Sequence, residues 1–327
     1  MPNAHVVRKV RSLNAEELGV GYEARAAESP GSSAPDAPVL QAEDPRLAEA
    51  VRLLRQFGGL ILSGPPGTSK SWLAAQVAHH LSEGEPTRRE FIQFHASYQF
   101  EDFMEGFRPK EDGSGFEPRK GVFLRMVTRA IEDRERAYVV VIDELSRADV
   151  GRVFGEALTY IERSKRGLLF TLPSGKECSI PLNLFIIATM NPLDRGVDEV
   201  DAAFERRFAK IDMPPSVDRL EDILDKNGLD ETIRRRLIGW FRRVNGRTLT
   251  NPAAAVGHAY FSDVVDTQSL QDVWDYQLKY LVDRAFQYDP DGRSEVISGW
   301  ETIFISPTAE TAQDATGADE ATSPAEP

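Results

Sequence analysis

One run of eight residues constrains this chain more than any other: Gly64-Pro65-Pro66-Gly67-Thr68-Ser69-Lys70-Ser71. Residues 59–62 before it are a short apolar run, and residues 73–81 after it carry helical periodicity. The run therefore predicts a loop joining a buried strand to a helix. Backbone N–H groups of such a loop, and of the helix N-terminus it opens, point at the oxygens of a bound phosphate. In that reading Gly64, Pro65, Pro66, Gly67, Thr68 and Ser69 cradle the phosphates, Lys70 neutralises the β- and γ-phosphates, and Ser71 ligates magnesium. The usual pattern has glycine just before the lysine, and here Ser69 stands in that place.

A second run, residues 138–144, is an apolar stretch ending in Asp143 and Glu144. Two acids after a strand are by themselves an ordinary solvated loop start. Paired with a phosphate loop they read as chemistry: Asp143 beside the magnesium, and Glu144 one residue further, placed to polarise an attacking water. A third apolar run, 184–188, leads to Asn191, a candidate contact for the γ-phosphate or the water, although an Asn-Pro pair alone is a turn signal. In 203–208, Arg206 and Arg207 stand just before another strand candidate and suggest residues that reach a neighbouring site, with Arg207 the first choice because it directly precedes Phe208 and the next strand. Paired arginines are otherwise solvated surface. No Ser/His/Asp arrangement and no His/Cys cluster with metal-ligand spacing competes with these motifs.

The strand candidates 59–62, 138–142 and 184–188, with weaker ones at 91–94 and 208–213, alternate with helical stretches at 44–56, 73–81, 122–134 and 150–162. That alternation predicts an α/β fold, a parallel sheet with helices on both faces. Residues 168–172 and 177–182 flank Pro173-Ser174-Gly175-Lys176 and predict a hairpin. From 216 the pattern is helical to about 303. The expected organisation is thus an arm and linker over 1–44, mostly flexible; a nucleotide-binding domain over 45–215; an all-α domain over 216–305; and a disordered acidic tail over 306–327. Six acidic residues and no Lys or Arg fall in 301–327, within a net charge of −13. An acidic chain gives no global case for nucleic-acid binding. The single cysteine, Cys178, excludes an internal disulfide. With no apolar leader and only short apolar runs, the expectation is a cytoplasmic chain without membrane contact.

The fuller motifs resemble the McrB family of AAA+ proteins, the NTP-driven motor subunits of McrBC-type restriction systems. The resemblance runs over about residues 45–300 through 64–71, QFHASYQFEDFMEGFRP at 93–109, IDELSRADVGRVFGEALTYIERSKR at 142–166, IIATMNPLDRG at 186–196, AFERRF at 203–208 and GHAYF at 257–261. It implies an AAA+ module with a five-stranded parallel sheet and a helical lid, acting with Mg2+ on ATP or GTP. It gives Asp194 and Arg195 nucleotide-site roles beside the residues already named, sets Arg147 toward an interface and puts His258 near a second sensor. It also implies a homo-oligomeric, hexameric ring, a McrC-like nuclease subunit as partner, and contact with DNA only through partners. The sequence departs from the family pattern at Ser146, usually Asn, and at Pro192-Leu193, usually Thr-Ala. The first 44 residues are short and linker-like, so the expectation is that they do not form the DNA-reading domain that precedes the motor in McrB. Two other readings stay open at this point: a MoxR-like protein-remodelling ATPase, and a nucleotide-gated scaffold with weak turnover.

Overall fold

The computed structural model describes residues 39–110, 113–193 and 202–305. The expectations for the arm before residue 39, the tail from 306, and Asp194 and Arg195 lie outside the described residues. The first helix, α1 (Pro45–Phe57), opens where the Asp44 carboxylate accepts the Arg46 amide and a proline takes the first turn, where its missing N–H is of no consequence. It buries Leu47, Ala50 and Leu54 at helical spacing.

Five parallel strands form the central sheet. In chain order they are β1 (Gly59–Ser63), followed by helix α2 (Lys70–Leu81); β2 (Arg89–Gln93); and, after a hairpin of β3 (Glu105–Pro109) and β4 (Phe116–Lys120), β5 (Tyr138–Asp143). A second hairpin, β6 (Phe170–Thr171) and β7 (Glu177–Cys178), precedes β8 (Leu184–Met190) and β9 (Ala209–Asp212). The order across the sheet is β2-β5-β8-β1-β9. β1 and β8 are buried along their whole length, and β5 up to its last residue, which is why they read as unbroken apolar runs. Successive side chains still part to opposite faces. Val140, Ile142, Ile186 and Ala188 enter one apolar layer with Phe103, Phe123 and Phe154. Val139, Val141, Phe185 and Ile187 enter the other with α1 and α2.

Two local features depart from the sequence pattern. The helix expected over 150–162 is two short helices, Val150–Phe154 and Ala157–Tyr160. The break is at Gly155, which takes φ +50° and has the Phe100 ring 2.7 Å from where a Cβ would lie. The β3–β4 hairpin was not anticipated. Its strands carry charge, Pro and exposed Phe107 and Phe116, so they lack the alternation that marks a half-buried strand.

The C-terminal helices Val217–Asn227, Glu231–Gly246, Thr267–Val273, Lys279–Ala285 and Pro290–Glu301 have their own core. Trp240, Trp274 and Trp300 meet at its centre, with ring centroids 4.8 Å apart for Trp240–Trp300 and 4.7 Å for Trp274–Trp300. The Trp240 indole donates to the Val296 carbonyl at 3.0 Å, so its polar atom is satisfied inside the apolar cluster. No helix among the described residues is long and apolar enough to cross a membrane.

Candidate active site

Parallel strands bring all their carboxyl ends to one edge, and ligand sites of open α/β sheets gather there. That edge carries the loop after β1, the acids at the end of β5 and the polar end of β8. The loop is tied to its neighbour strand by the Gly64 amide, which donates to the Met190 carbonyl at 3.1 Å. Inside the loop, Thr68 Oγ1 and Lys70 Nζ both donate to the Pro65 carbonyl, at 2.9 and 2.8 Å. Ser69 takes φ +63° and ψ +26°, so the turn into α2 is left-handed at a residue that is not glycine.

At the start of α2, Ser71 Oγ donates to Asp143 Oδ1 at 2.8 Å. Thr189 Oγ1 donates to the same oxygen, and accepts the Glu144 amide at 3.3 Å. Thr189 is 2% exposed. It fixes both acids of the β5 end from the neighbouring strand, a role that the sequence reading missed; the only signal was a hydroxyl residue two positions before Asn191. Glu144 takes φ +57° and lies 3.5 Å from the Arg147 guanidinium. Asn191 is buried, and its Oδ1 accepts the Leu193 amide at 3.1 Å.

The donor set suits a hard divalent cation: a serine hydroxyl and a carboxylate within hydrogen-bond distance of each other, beside a loop shaped for phosphate. Among the described residues no group of three or more His, Cys, Asp or Glu side chains gathers into an all-protein metal cage. Mg2+ typically takes one or two protein oxygens and completes its shell with phosphate and water.

The helical domain reaches this loop. The Ala259 amide donates to the Gly67 carbonyl at 2.8 Å. His258 Nε2 lies 3.2 Å from Ser69 Oγ, and its Nδ1 accepts the Ser216 amide at 3.3 Å. Burial, with the positive charges of Arg219 and Arg46, pushes the His258 pKa down to about 4, so the ring is neutral near pH 7. A cavity of about 260 Å³ adjoins the loop, lined among others by Arg46, Thr68, Leu73, Met213 and His258.

The two arginines are elsewhere. They precede β9 and lie at the amino-terminal edge of the sheet, beside Phe57, which precedes β1. An open depression of about 480 Å³ collects Glu162, Arg163, Lys165, Arg206 and Arg207 there. Arg206 is exposed. Arg207 has a side chain 7% exposed, with its Nε 3.9 Å from Glu162. One strand, about 17 Å for five residues, separates this edge from the phosphate loop.

Residues 59–208 match the family model of the AAA domain (dynein-related subfamily). The chain is 32% identical over 251 residues to the Type IV methyl-directed restriction enzyme EcoKMcrB subunit of Escherichia coli (strain K12), a match covering 71% of this chain and 54% of that protein. It is 32% identical over 128 residues to the Type II restriction enzyme BsuMI component YdiS of Bacillus subtilis (strain 168), covering 35% of this chain and 36% of the other. The chain thus spans about half the length of the first relative and about a third of the second.

Proposed function

This chain is an McrB-like AAA+ protein, and on that premise we propose that it hydrolyses ATP or GTP with Mg2+ as one subunit of a ring that drives a partner. The observation that carries the reading is the meeting of Ser71, Asp143 and Thr189 at the carboxyl edge, with Glu144 next in the chain. Lys70 and the loop amides hold the β- and γ-phosphates. Ser71 and Asp143 would hold the metal, which when bound would neutralise charge on the phosphate oxygens. Glu144 orients the attacking water and takes its proton, and Asn191 aligns the water or the γ-phosphate. The cavity beside Leu73 and Met213 receives the base.

Nothing at this edge supplies an arginine to the transferring phosphoryl group from the 206–207 pair, since that pair lies a strand length away. A ring, hexameric by resemblance, places one subunit's amino edge against the next subunit's loop, so Arg206 with Arg207 beside it would complete the neighbour's site. The partner we assign is a McrC-like nuclease subunit, and the setting is restriction of foreign DNA, by analogy with the restriction enzymes that the relatives' names describe. DNA is then met through partners.

The test is a fluorescent-nucleotide titration with a phosphate-release assay. Lys70→Ala removes the lysine of the loop and is expected to abolish binding. Glu144→Gln keeps binding and loses turnover. Unchanged affinity in Lys70→Ala would falsify the site. Co-purification with a nuclease subunit encoded beside this chain, followed by a cleavage assay with each nucleotide, tests the partner; failure to bind one leaves the ring without the assigned role.

A further inference from the structure

Ser69 stands where phosphate loops carry glycine, and its backbone shows why glycine is usual. At φ +63° a β-carbon crowds the following carbonyl, so serine adopts this conformation at a cost that glycine escapes. Its side chain must return something. Ser69 Oγ lies 3.2 Å from His258 Nε2. His258 Nδ1 accepts the Ser216 amide, and an amide only donates, so Nδ1 carries the lone pair and the neutral ring carries its proton on Nε2. The imidazole therefore donates to Ser69, and the bond has one sense. It links the phosphate loop to Ser216, whose side chain caps the first C-terminal helix by accepting the Arg219 amide.

The surrounding contacts are close but indifferent to the residue at 69. A Cβ on Gly257 would meet the Gly67 carbonyl at 2.2 Å, one on Gly67 would meet the Tyr260 ring at 2.8 Å, and the Ala259 amide bonds the Gly67 oxygen. These hold the 257–260 turn against the loop through backbone and shape. Of these contacts among the described residues, the Ser69–His258 bond is the one that depends on the serine.

We propose that Ser69 and His258 form a latch through which the helical domain positions the phosphate loop, so that the serine is a positioning residue for hydrolysis and not a tolerated stand-in for glycine. Lys70 donates to the Pro65 carbonyl in this structure, and a lysine ammonium has three donors, so it can keep that bond while it meets a phosphate. The latch couples the loop that carries Lys70 to residues 257–261. The inference rests on the nucleotide-site reading above.

Ser69→Gly is the decisive variant, because it restores the common residue and removes the backbone strain. A tolerated stand-in predicts equal or faster turnover. The latch predicts a kcat lower by about five- to tenfold, the worth of one hydrogen bond, with KM within about threefold. His258→Ala should lose a similar factor. The double variant should be no worse than the poorer single, because both remove one bond. His258→Gln, which keeps an N–H donor on the side chain, should recover part of the loss. Hydrogen–deuterium exchange over 257–261 reads the same contact without turnover, and should be faster in both Ser69→Gly and His258→Ala. If the unmodified protein hydrolyses neither ATP nor GTP, the nucleotide-site reading fails and the exchange measurement still judges the latch. Unchanged exchange in Ser69→Gly, or losses that multiply in the double variant, would overturn it.

Discussion

Ser69 and Glu144 are both non-glycine residues with left-handed backbone, and both end a strand–loop unit at the carboxyl edge of the sheet. Such conformations cost about 1–3 kcal/mol each and persist only where neighbours hold them. Ser69 is held by His258; the Glu144 amide is held by Thr189 Oγ1. Thr189 is thus the residue to remove when the geometry of the acids is to be tested without touching them. Thr189→Val keeps shape and burial, deprives Asp143 of a donor and leaves the Glu144 amide without that acceptor. Side chains that orient a metal ligand are worth about 10–100-fold in metal affinity. The Mg2+ concentration for half-maximal hydrolysis should rise by that factor while far-ultraviolet circular dichroism stays unchanged. An unaltered Mg2+ dependence would show that Asp143 is held by Ser71 alone. The loop and the acids were legible in the sequence because each sits within one short run. The bonds that aim them were not, because they join residues 46 and 189 positions apart, and no local pattern records such a pair.

The elements are held in register by another long-range residue, Arg166. It is 7% exposed, and burial, with Arg163 nearby, pushes its pKa down to about 9. Its guanidinium donates to the carbonyls of Ile161 at 2.9 Å, Pro181 at 3.3 Å, Gly58 at 3.1 Å and Leu184. Those oxygens belong to the turn before β1, the approach to β8 and the segment that carries Arg163 and Lys165. Arg166→Met removes all four bonds together with a buried charge. Hydrogen bonds to charged groups contribute about 1.5–3 kcal/mol each, and loss of the charge returns part of the desolvation cost. A net loss of about 2–3 kcal/mol is expected, read as a lower urea midpoint for the α/β transition. An unmoved midpoint would show that the carbonyls find other donors. The central strands were readable because burial on both faces leaves an unbroken apolar run. The β3–β4 hairpin was not, since its phenylalanines face solvent, and the break at Gly155 was not, since periodicity carries no information on backbone sign. Arg166, in a run of basic residues, reads as surface until the fold closes over it.

At the scale of the molecule the proposed ring poses the question of which arginine would cross to a neighbour. Sequence order favoured Arg207, directly before Phe208 and the next strand. The fold separates the pair: Arg207 is buried against Glu162, and Arg206 is exposed in the depression at the amino edge. In the proposed ring an arginine that stabilises charge in another subunit must reach outward, so we propose Arg206 as the finger, with Arg207 held beside Glu162 in its own subunit. Fingers are worth about 10³ to 10⁵ in rate where measured, so Arg206→Ala alone should be nearly inactive while still binding nucleotide. Glu144→Gln subunits keep both arginines and lack turnover. Mixed with Arg206→Ala subunits, they should restore part of the hydrolysis, at interfaces where an intact Glu144 faces an intact Arg206. Arg207→Ala in the same mixture should be rescued less, because losing a buried partner of Glu162 disturbs its own subunit and not only the neighbour's site. Subunit exchange is followed by energy transfer between labelled chains. Full activity of Arg206→Ala alone, or no recovery despite proven exchange, would remove Arg206 from the shared site, and recovery with Arg207→Ala alone would return the role to Arg207.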